Sequence, residues 1–183
     1  MDIDTVIAVD LDGTLTYTDT LYESVIRLFH DRPIDLLALP LWLMDGKAAL
    51  KAKVADRVLL NPQSLPYNLP LIEWLKENKA SGRKLVLCTA ADKRVADAIA
   101  NHLDLFDYVI GSNGITNNGG SNKREILEAQ FGIHGFDYVG NSSDDLEVWV
   151  GARKAVVVNA TACCPSDREH RIIDCVATSI YVI

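Results

Sequence analysis

Four short stretches of this chain carry residue types that can do chemistry together. Asp10-Leu-Asp-Gly-Thr14 places two carboxylates two residues apart, with Gly13 letting the chain turn sharply behind them. Thr89 supplies a hydroxyl, Lys123 an ammonium, and Gly140-Asn-Ser-Ser-Asp-Asp145 an amide and further carboxylates. Two neighbouring carboxylates repel each other unless a proton or a cation shares the site. Mg2+ takes oxygen ligands in octahedral geometry and is held by one or two carboxylates plus a substrate phosphate. An aspartate can also serve as a covalent nucleophile and become an aspartyl-phosphate. A hydroxyl and an ammonium suit the equatorial oxygens of a phosphoryl group, where positioning and charge stabilisation do most of the catalysis. The set is the inventory for handling a phosphoryl group with a hard metal ion.

These residues must be delivered to one place, and the order of elements does that. Thr5–Val9, Lys84–Cys88, Tyr108–Ile110, Tyr138–Val139 and Ala155–Val158 are apolar runs rich in β-branched residues, the mark of strands covered on both faces. Between them lie helical patterns at Leu69–Ser81, Lys93–His102, Lys123–Phe131 and Asp145–Ala152, two of them followed by Gly82 and Gly132. The alternation predicts an α/β fold, a parallel sheet with helices on both faces. In such sheets ligands bind outside the carboxyl ends of the strands. The Asp10 motif, Thr89 and the Gly140 motif each follow a strand directly, and Lys123 starts a helix beyond the polar turn Asn113–Gly120. Residues 20–66 break the alternation with helical patterns at Leu21–His30, Ile34–Met44 and Lys47–Leu59. That segment predicts a small helical cap over one end of the sheet. The expected organisation is one domain over 1–183, with 1–19 and 67–183 as core and 20–66 as cap.

The ordered set resembles the haloacid dehalogenase (HAD) superfamily of phosphotransferases, whose motifs match D-x-D-G-T at Asp10–Thr14, Thr89, Lys123 and the acidic motif from Gly140. The resemblance covers the whole chain and implies a Rossmann-like core. It makes Asp10 the nucleophile and Asp12 the general acid to the leaving group, then the general base for the hydrolytic water. Thr89 and Lys123 would hold the phosphoryl oxygens. Mg2+ would be bound by the Asp10 side chain, the Asp12 main-chain carbonyl, Asn141 and Asp145. The family usually has Asp directly after the glycine of its last motif, and this chain has Asn141. An amide oxygen can ligate Mg2+ but brings no charge, so weaker metal affinity is expected; Asp144 is an alternative to either last-motif ligand. Leu39–Leu43, Leu65–Asn68, Leu85–Asp92, Phe106–Ile110 and Val156–Asn159 narrow the resemblance to the phosphatase-type domain fused ahead of UbiA-type membrane prenyltransferases. That implies a phosphorylated prenyl or sugar-lipid substrate, or an accessory role beside a membrane prenyltransferase. It also implies a cytoplasmic location, at the inner membrane face if such a fusion exists. Transfer of the phosphoryl group to a hydroxyl is a third possibility.

Composition limits the alternatives. With 18 basic and 25 acidic residues the net charge is −7, and no run of Lys and Arg exceeds two, which argues against nucleic acid as a charge-steered partner. The most apolar stretch, Ile34–Met44, contains Asp35 and Pro40 and is too short for a membrane span. Cys88, Cys163, Cys164 and Cys175 form no C-x-x-C pair, so reduced thiols are expected rather than a zinc knuckle or a disulfide framework. The four histidines (His30, His102, His134, His170) follow no metal spacing and read as surface residues. Trp42, Trp74 and Trp149 read as packing residues, although the stretch around Trp42 could also present an apolar face to a lipid-like partner. Ser142 and Ser143 are expected to cap the helix that starts near Asp144. Arg124 and Lys93 stand close enough in sequence to compete with Lys123 for its role.

Overall fold

A computed structural model describes residues 5–159 and the backbone of 180–182. Strand β1 (Val6–Val9) is followed by α1 (Thr20–Asp31), α2 (Leu39–Met44), α3 (Lys47–Ala55) and α4 (Leu69–Ala80). Then come β2 (Leu85–Asp92), α5 (Lys93–Leu103), β3 (Tyr108–Ser112), α6 (Gly120–Phe131), β4 (Phe136–Gly140), α7 (Leu146–Gly151), β5 (Lys154–Val157) and β6 (Ile180–Val182). The six strands form one parallel sheet in the order β3-β2-β1-β4-β5-β6. The order reverses between β1 and β4, the place where open sheets of this kind open a crevice at their carboxyl ends. The α/β class read from the sequence is the one observed, and β6 adds a strand to the five expected.

Alternate residues of the buried strands serve opposite layers. Ile7, Val9, Leu85 and Leu87 face a core completed by Leu71, Leu75 and Ile99 of α4 and α5. Val6, Ala8, Val86 and Cys88 face the other core, with Leu127, Val148 and Trp149 of α6 and α7. Two-sided burial explains why these strands read as unbroken apolar runs. At the amino end of the sheet, buried Asp137 of β4 binds two arginines. Arg83 donates to it at 2.6 Å, and Arg153 at 2.9 and 3.0 Å. Arg83 also donates to Thr5 O at 2.9 Å, which ties the start of β1 to β4.

The segment between β1 and α4 has a small core of its own, built on Leu28, Trp42, Val54 and Val58. Trp42 is buried there under the Arg57 guanidinium, 4.1 Å from its ring, so the indole itself is not on an apolar surface. Ile34, Leu37, Leu41 and Met44 around it are exposed. The helix expected over Ile34–Met44 is divided: Pro33–Ala38 is a tight 3-10 turn, and α2 restarts at Leu39 with Pro40 in its first turn. Proline is tolerated there because first-turn amides have no helical partner. Likewise α3 stops at Ala55, short of Leu59.

Helix α7 is preceded by a tight turn over Ser143–Asp145, and that turn is capped by Ser142, not Ser143, in a reciprocal box with Asp145. His30, His102 and His134 are exposed, as expected. Cys163, Cys164, Cys175 and His170 lie outside the described residues. Among the described residues, no helix is long and apolar enough to cross a membrane. Because Asp137 is buried and ion-paired to two arginines, Asp137→Ala is expected to lower unfolding stability by about 3 kcal/mol. Urea denaturation of the two proteins reads this directly.

Candidate functional site

Asp10 is the first residue past β1, and its N–H donates to Val139 O of β4 at 2.9 Å, pinning it where the strand order reverses. The next residues close a compact turn, with the N–H groups of Leu15 and Thr16 each donating to Leu11 O at 3.0 Å. Gly13 is required in that turn for two reasons. Its φ is +74°, and a Cβ on it would lie 2.4 Å from Asn141 Nδ2. The loop after β4 therefore rests directly on the turn after β1. Thr14 Oγ1 donates to Asn141 Oδ1 at 3.2 Å and fixes the amide there.

Lys123 reaches the same point from α6 with its side chain only 5% exposed. Its ammonium donates to Asp10 Oδ1 at 2.8 Å and to the Tyr138 hydroxyl at 2.7 Å. Tyr138 in turn donates to Asp145 Oδ1 at 2.7 Å. The other oxygen of Asp145 accepts from the N–H groups of Asn141 and Ser142 at 3.0 and 3.2 Å. Gly140 makes room for this fold-back, since a Cβ on it would sit 2.6 Å from the Asp145 carboxyl. Thr89 is fully buried, and its hydroxyl accepts from Ala91 N–H at 3.0 Å, which leaves its own hydrogen to donate.

Asp10, Asp12, Thr89, Lys123, Asn141 and Asp145, the six residues singled out by the sequence, all line one cavity of about 470 Å³. Asp144 lines it too, from an exposed position. Thr89 differs from expectation in lying within β2, not at its end. Regular pairing with β3 stops at Cys88 and resumes only at Asp92, and the irregularity between them carries Thr89. Both oxygens of Asp145, expected as a metal ligand, accept hydrogen bonds, and through them it holds Tyr138 and the Asn141 loop, with Lys123 at 3.7 Å. Arg124 and Lys93 are engaged elsewhere, on Glu128 at 2.6 Å and Asp97 at 2.7 Å.

The sequence did not single out Lys51, Asn117 and Asp19, which also line the cavity, or Tyr138, which supports it. Tyr138 had a readable signal: a phenol in a strand buried on both sides needs a hydrogen-bond partner inside. Lys51 had none, since its helical pattern gave no sign of which face meets the site.

Burial sets the proton affinities. Asp10 is pushed up to about 7, by burial above all, against the pull of Lys123 and with the help of Asp145 and Asp12. Burial and Asp19 raise Asp12, although Thr20 N–H, donating to its Oδ1 at 2.7 Å, favours the anion. Burial acts to lower Lys123, but Asp10 and Asp145 outweigh it and lift the ammonium above its usual range. Cys88, one residue before Thr89, has its thiol pushed up to about 12 by burial and stays a poor nucleophile.

A hard cation fits the donor set. Asp10 Oδ1 has a second lone pair beyond the one taken by Lys123, and Asn141 Oδ1 has one beyond that taken by Thr14. Among the described residues no three His, Cys, Asp or Glu side chains gather to hold a metal. A set of two carboxylates at most, a main-chain carbonyl and an amide oxygen is consistent with that, and with the preference of Mg2+ for few carboxylates.

The raised Asp10 value has a consequence for stability without metal. The unfolded carboxyl ionises near its ordinary value of 3.8, while the folded one keeps its proton to about 7. The folded form therefore binds more protons between those values, and stability is lost as pH rises through that window. Metal-free wild type is expected to lose more stability than Asp10→Asn between pH 4 and 7.5, read by urea titration at each pH.

No sequence-family model matches the chain. It is 39% identical over 150 residues to the uncharacterized protein y4nM of Sinorhizobium fredii (strain NBRC 101917 / NGR234), a match that takes in 81% of this chain. The chain spans only 29% of that relative's length. Among solved structures it is similar to the HAD family hydrolase t0658 of Salmonella enterica serovar Typhi, with a TM-score of 0.65, 18% identity, and coverage of 98% of this chain and 67% of that one. It is also similar to apo phosphoserine phosphatase, with a TM-score of 0.62, 16% identity, and coverage of 98% and 93%. A phospho-aspartyl intermediate analogue of phosphoserine phosphatase gives a TM-score of 0.60 at 18% identity, again covering 98% and 93%. The likeness to these structures gives the chain, with its parallel sheet and crossing helices, the HAD-like fold.

Proposed function

We propose that the chain is a Mg2+-dependent phosphatase that hydrolyses a phosphate monoester through an aspartyl-phosphate on Asp10. The observation that carries this reading is the meeting of Asp10, Asp12, Thr89 and Lys123 on one cavity, with Lys123 bonded to Asp10 Oδ1 at 2.8 Å. Thr89 and Lys123 receive the phosphoryl oxygens. Asp10 Oδ2 attacks phosphorus, the ester P–O bond breaks, and its electron pair leaves on the alcohol oxygen. Asp12 gives its proton to that oxygen, and its raised proton affinity is what an acid working near neutral pH requires. The Asp12 carboxylate then takes a proton from water as the water oxygen attacks phosphorus. The Asp10–phosphorus bond breaks, orthophosphate departs, and Asp12 is protonated again. Mg2+ would be held by the Asp10 carboxylate, the Asp12 main-chain carbonyl, Asn141 and Asp145, and would supply positive charge for the phosphoryl oxygens.

In this reading residues 20–66 form a cap over the core 1–19 and 67–183. The exposed apolar residues Ile34, Leu37, Leu41 and Met44 on the cap support a prenyl- or sugar-lipid-linked phosphate as substrate. They equally support association with a membrane prenyltransferase at its cytoplasmic side. A second reading, a non-catalytic accessory domain, is favoured by Asn141, which leaves the metal site one charge short.

Two measurements separate these readings. Phosphate release from p-nitrophenyl phosphate should require added Mg2+ and fall by roughly 10³-fold or more in Asp10→Asn. Activity that survives this change rules out the covalent route, and absence of both activity and Mg2+ binding in wild type selects the accessory reading. Asn141→Asp should tighten the apparent Mg2+ affinity by about tenfold, as an added ligand charge does. Calorimetric titration with Mg2+ checks this without turnover.

A further inference from the structure

The basic residues of the α1–α3 segment fall into two groups. Arg27 pairs with Asp31 at 2.5 Å, Arg32 with Asp35 at 2.9 Å, and Arg57 with Asp35 at 3.5 Å. Lys53 pairs with Asp45. Lys47 and Lys51, one turn apart on α3, have no carboxylate partner among the described residues, and they are the two that line the cavity. Lys51 is half-buried, and its ammonium donates only to neutral oxygens, Ala90 O at 2.7 Å and Asn117 Oδ1 at 3.5 Å. Desolvating a cation without an anion beside it is costly, so an arriving anion would gain strongly here. Burial draws the Lys51 ammonium down from its usual value, while the fields of Asp12, Asp19 and Asp10 act the other way.

Ala90 directly follows Thr89, so Lys51, from α3, lines the cavity beside the proposed phosphoryl position, as Lys123 does from α6. A ligand seated in the cavity meets positive charge from both lysines. Residues i and i+4 on a helix stand about 5–6 Å apart at Cβ, a spacing that brackets one carboxylate or phosphoryl group. Leu43 and Leu50 of the same wall offer apolar surface to the carbons between.

We propose that the cavity takes a phosphate ester whose leaving group carries a second anionic group, a carboxylate or a second phosphoryl, received by Lys51 and Lys47. The inference rests on the reading that the ester itself is bound at Asp10, Thr89 and Lys123. It assigns to α3 the selection of the leaving group.

The test compares three-carbon esters that differ at one end: propyl phosphate, 3-phosphooxypropanoate and propane-1,3-diyl bisphosphate. In wild type, kcat/KM for at least one anionic ester should exceed that for propyl phosphate by about tenfold, mostly through KM. Lys51→Met and Lys47→Met should each cut that advantage several-fold, with Lys51→Arg restoring part of it. Lys47 is exposed, so its variant keeps the test valid should Lys51→Met fail to fold. The anion that gains most names the class.

Binding of the non-hydrolysable 3-phosphonopropanoate and propylphosphonate, measured by calorimetry with Mg2+ present, gives a readout without turnover. Preference for 3-phosphonopropanoate that Lys51→Met erases upholds the anion pocket even if no ester is hydrolysed, in which case the phosphatase reading falls instead. No preference in wild type, or one unchanged in both lysine variants, overturns the proposal while leaving hydrolysis of propyl phosphate to stand on its own.

Discussion

The Lys123 ammonium is buried at the carboxyl ends of the two central strands, with the carboxylate of Asp10 in front of it and that of Asp145 behind. A cation can be kept there only because every direction is answered, by Asp10, by Tyr138 and by Asp145. The reverse holds for the carboxylates. Asp10 alone, buried against Asp145 and Asp12, would simply hold a proton. The geometry of the site follows from satisfying this one charge. Asp145 must fold back to reach Tyr138, which excludes a side chain at residue 140. In folding back it collects the amides of Asn141 and Ser142, and this sets the Asn141 side chain over Gly13. The pair in front is strong enough to hold Asp10 in one orientation, yet the site stays short of positive charge, and a divalent cation is the simplest remedy.

Charge is handled differently on the wall formed by α1–α3. There most basic groups are spent on neighbouring carboxylates at the surface, where such pairs contribute little to stability. Of the lysines that line the cavity from this wall, Lys51 is left to neutral acceptors, and Lys47 has no carboxylate partner among the described residues. Structural charges are matched within the segment, while the unmatched ones are directed inward to where a ligand would sit. The same segment keeps its apolar core separate from the two layers against the sheet, so its side chains can vary without disturbing β1 or β4.

The sheet was legible because strands buried on both faces leave a nearly continuous apolar signature, and the helix stops at Gly82 and Gly132 were plain. The six site residues were legible for a different reason. Each sits next to a strand end or a helix start, the positions that an open parallel sheet brings together whatever its other details. Roles were less legible than positions. The spacing marks Asp145 as an acid of the site but not its bond to Tyr138, because sequence spacing cannot say which way a carboxylate turns inside a capping box. Thr89 was placed at a strand end, since an irregularity of the ladder leaves no mark in the residues themselves. Lys51 was invisible for a broader reason: its meaning depends on how α3 docks across the sheet, a contact between segments far apart in the chain.

The strand order bears on how the molecule fluctuates. Opening of a sheet starts at its edges, here β3 on one side and β6 on the other, and the central pair is the last to give up its hydrogen bonds. Asp10 belongs to that pair through its own amide, bonded to Val139 O. Amide exchange around Asp10 should therefore approach the rate set by unfolding of the whole domain, while α3, supported by a much smaller cluster, opens many times in the same interval. The half of the site that carries the reactive carboxylate and the half that carries Lys51 thus keep different clocks, and a ligand can enter or leave through motion of the second without the first ever loosening.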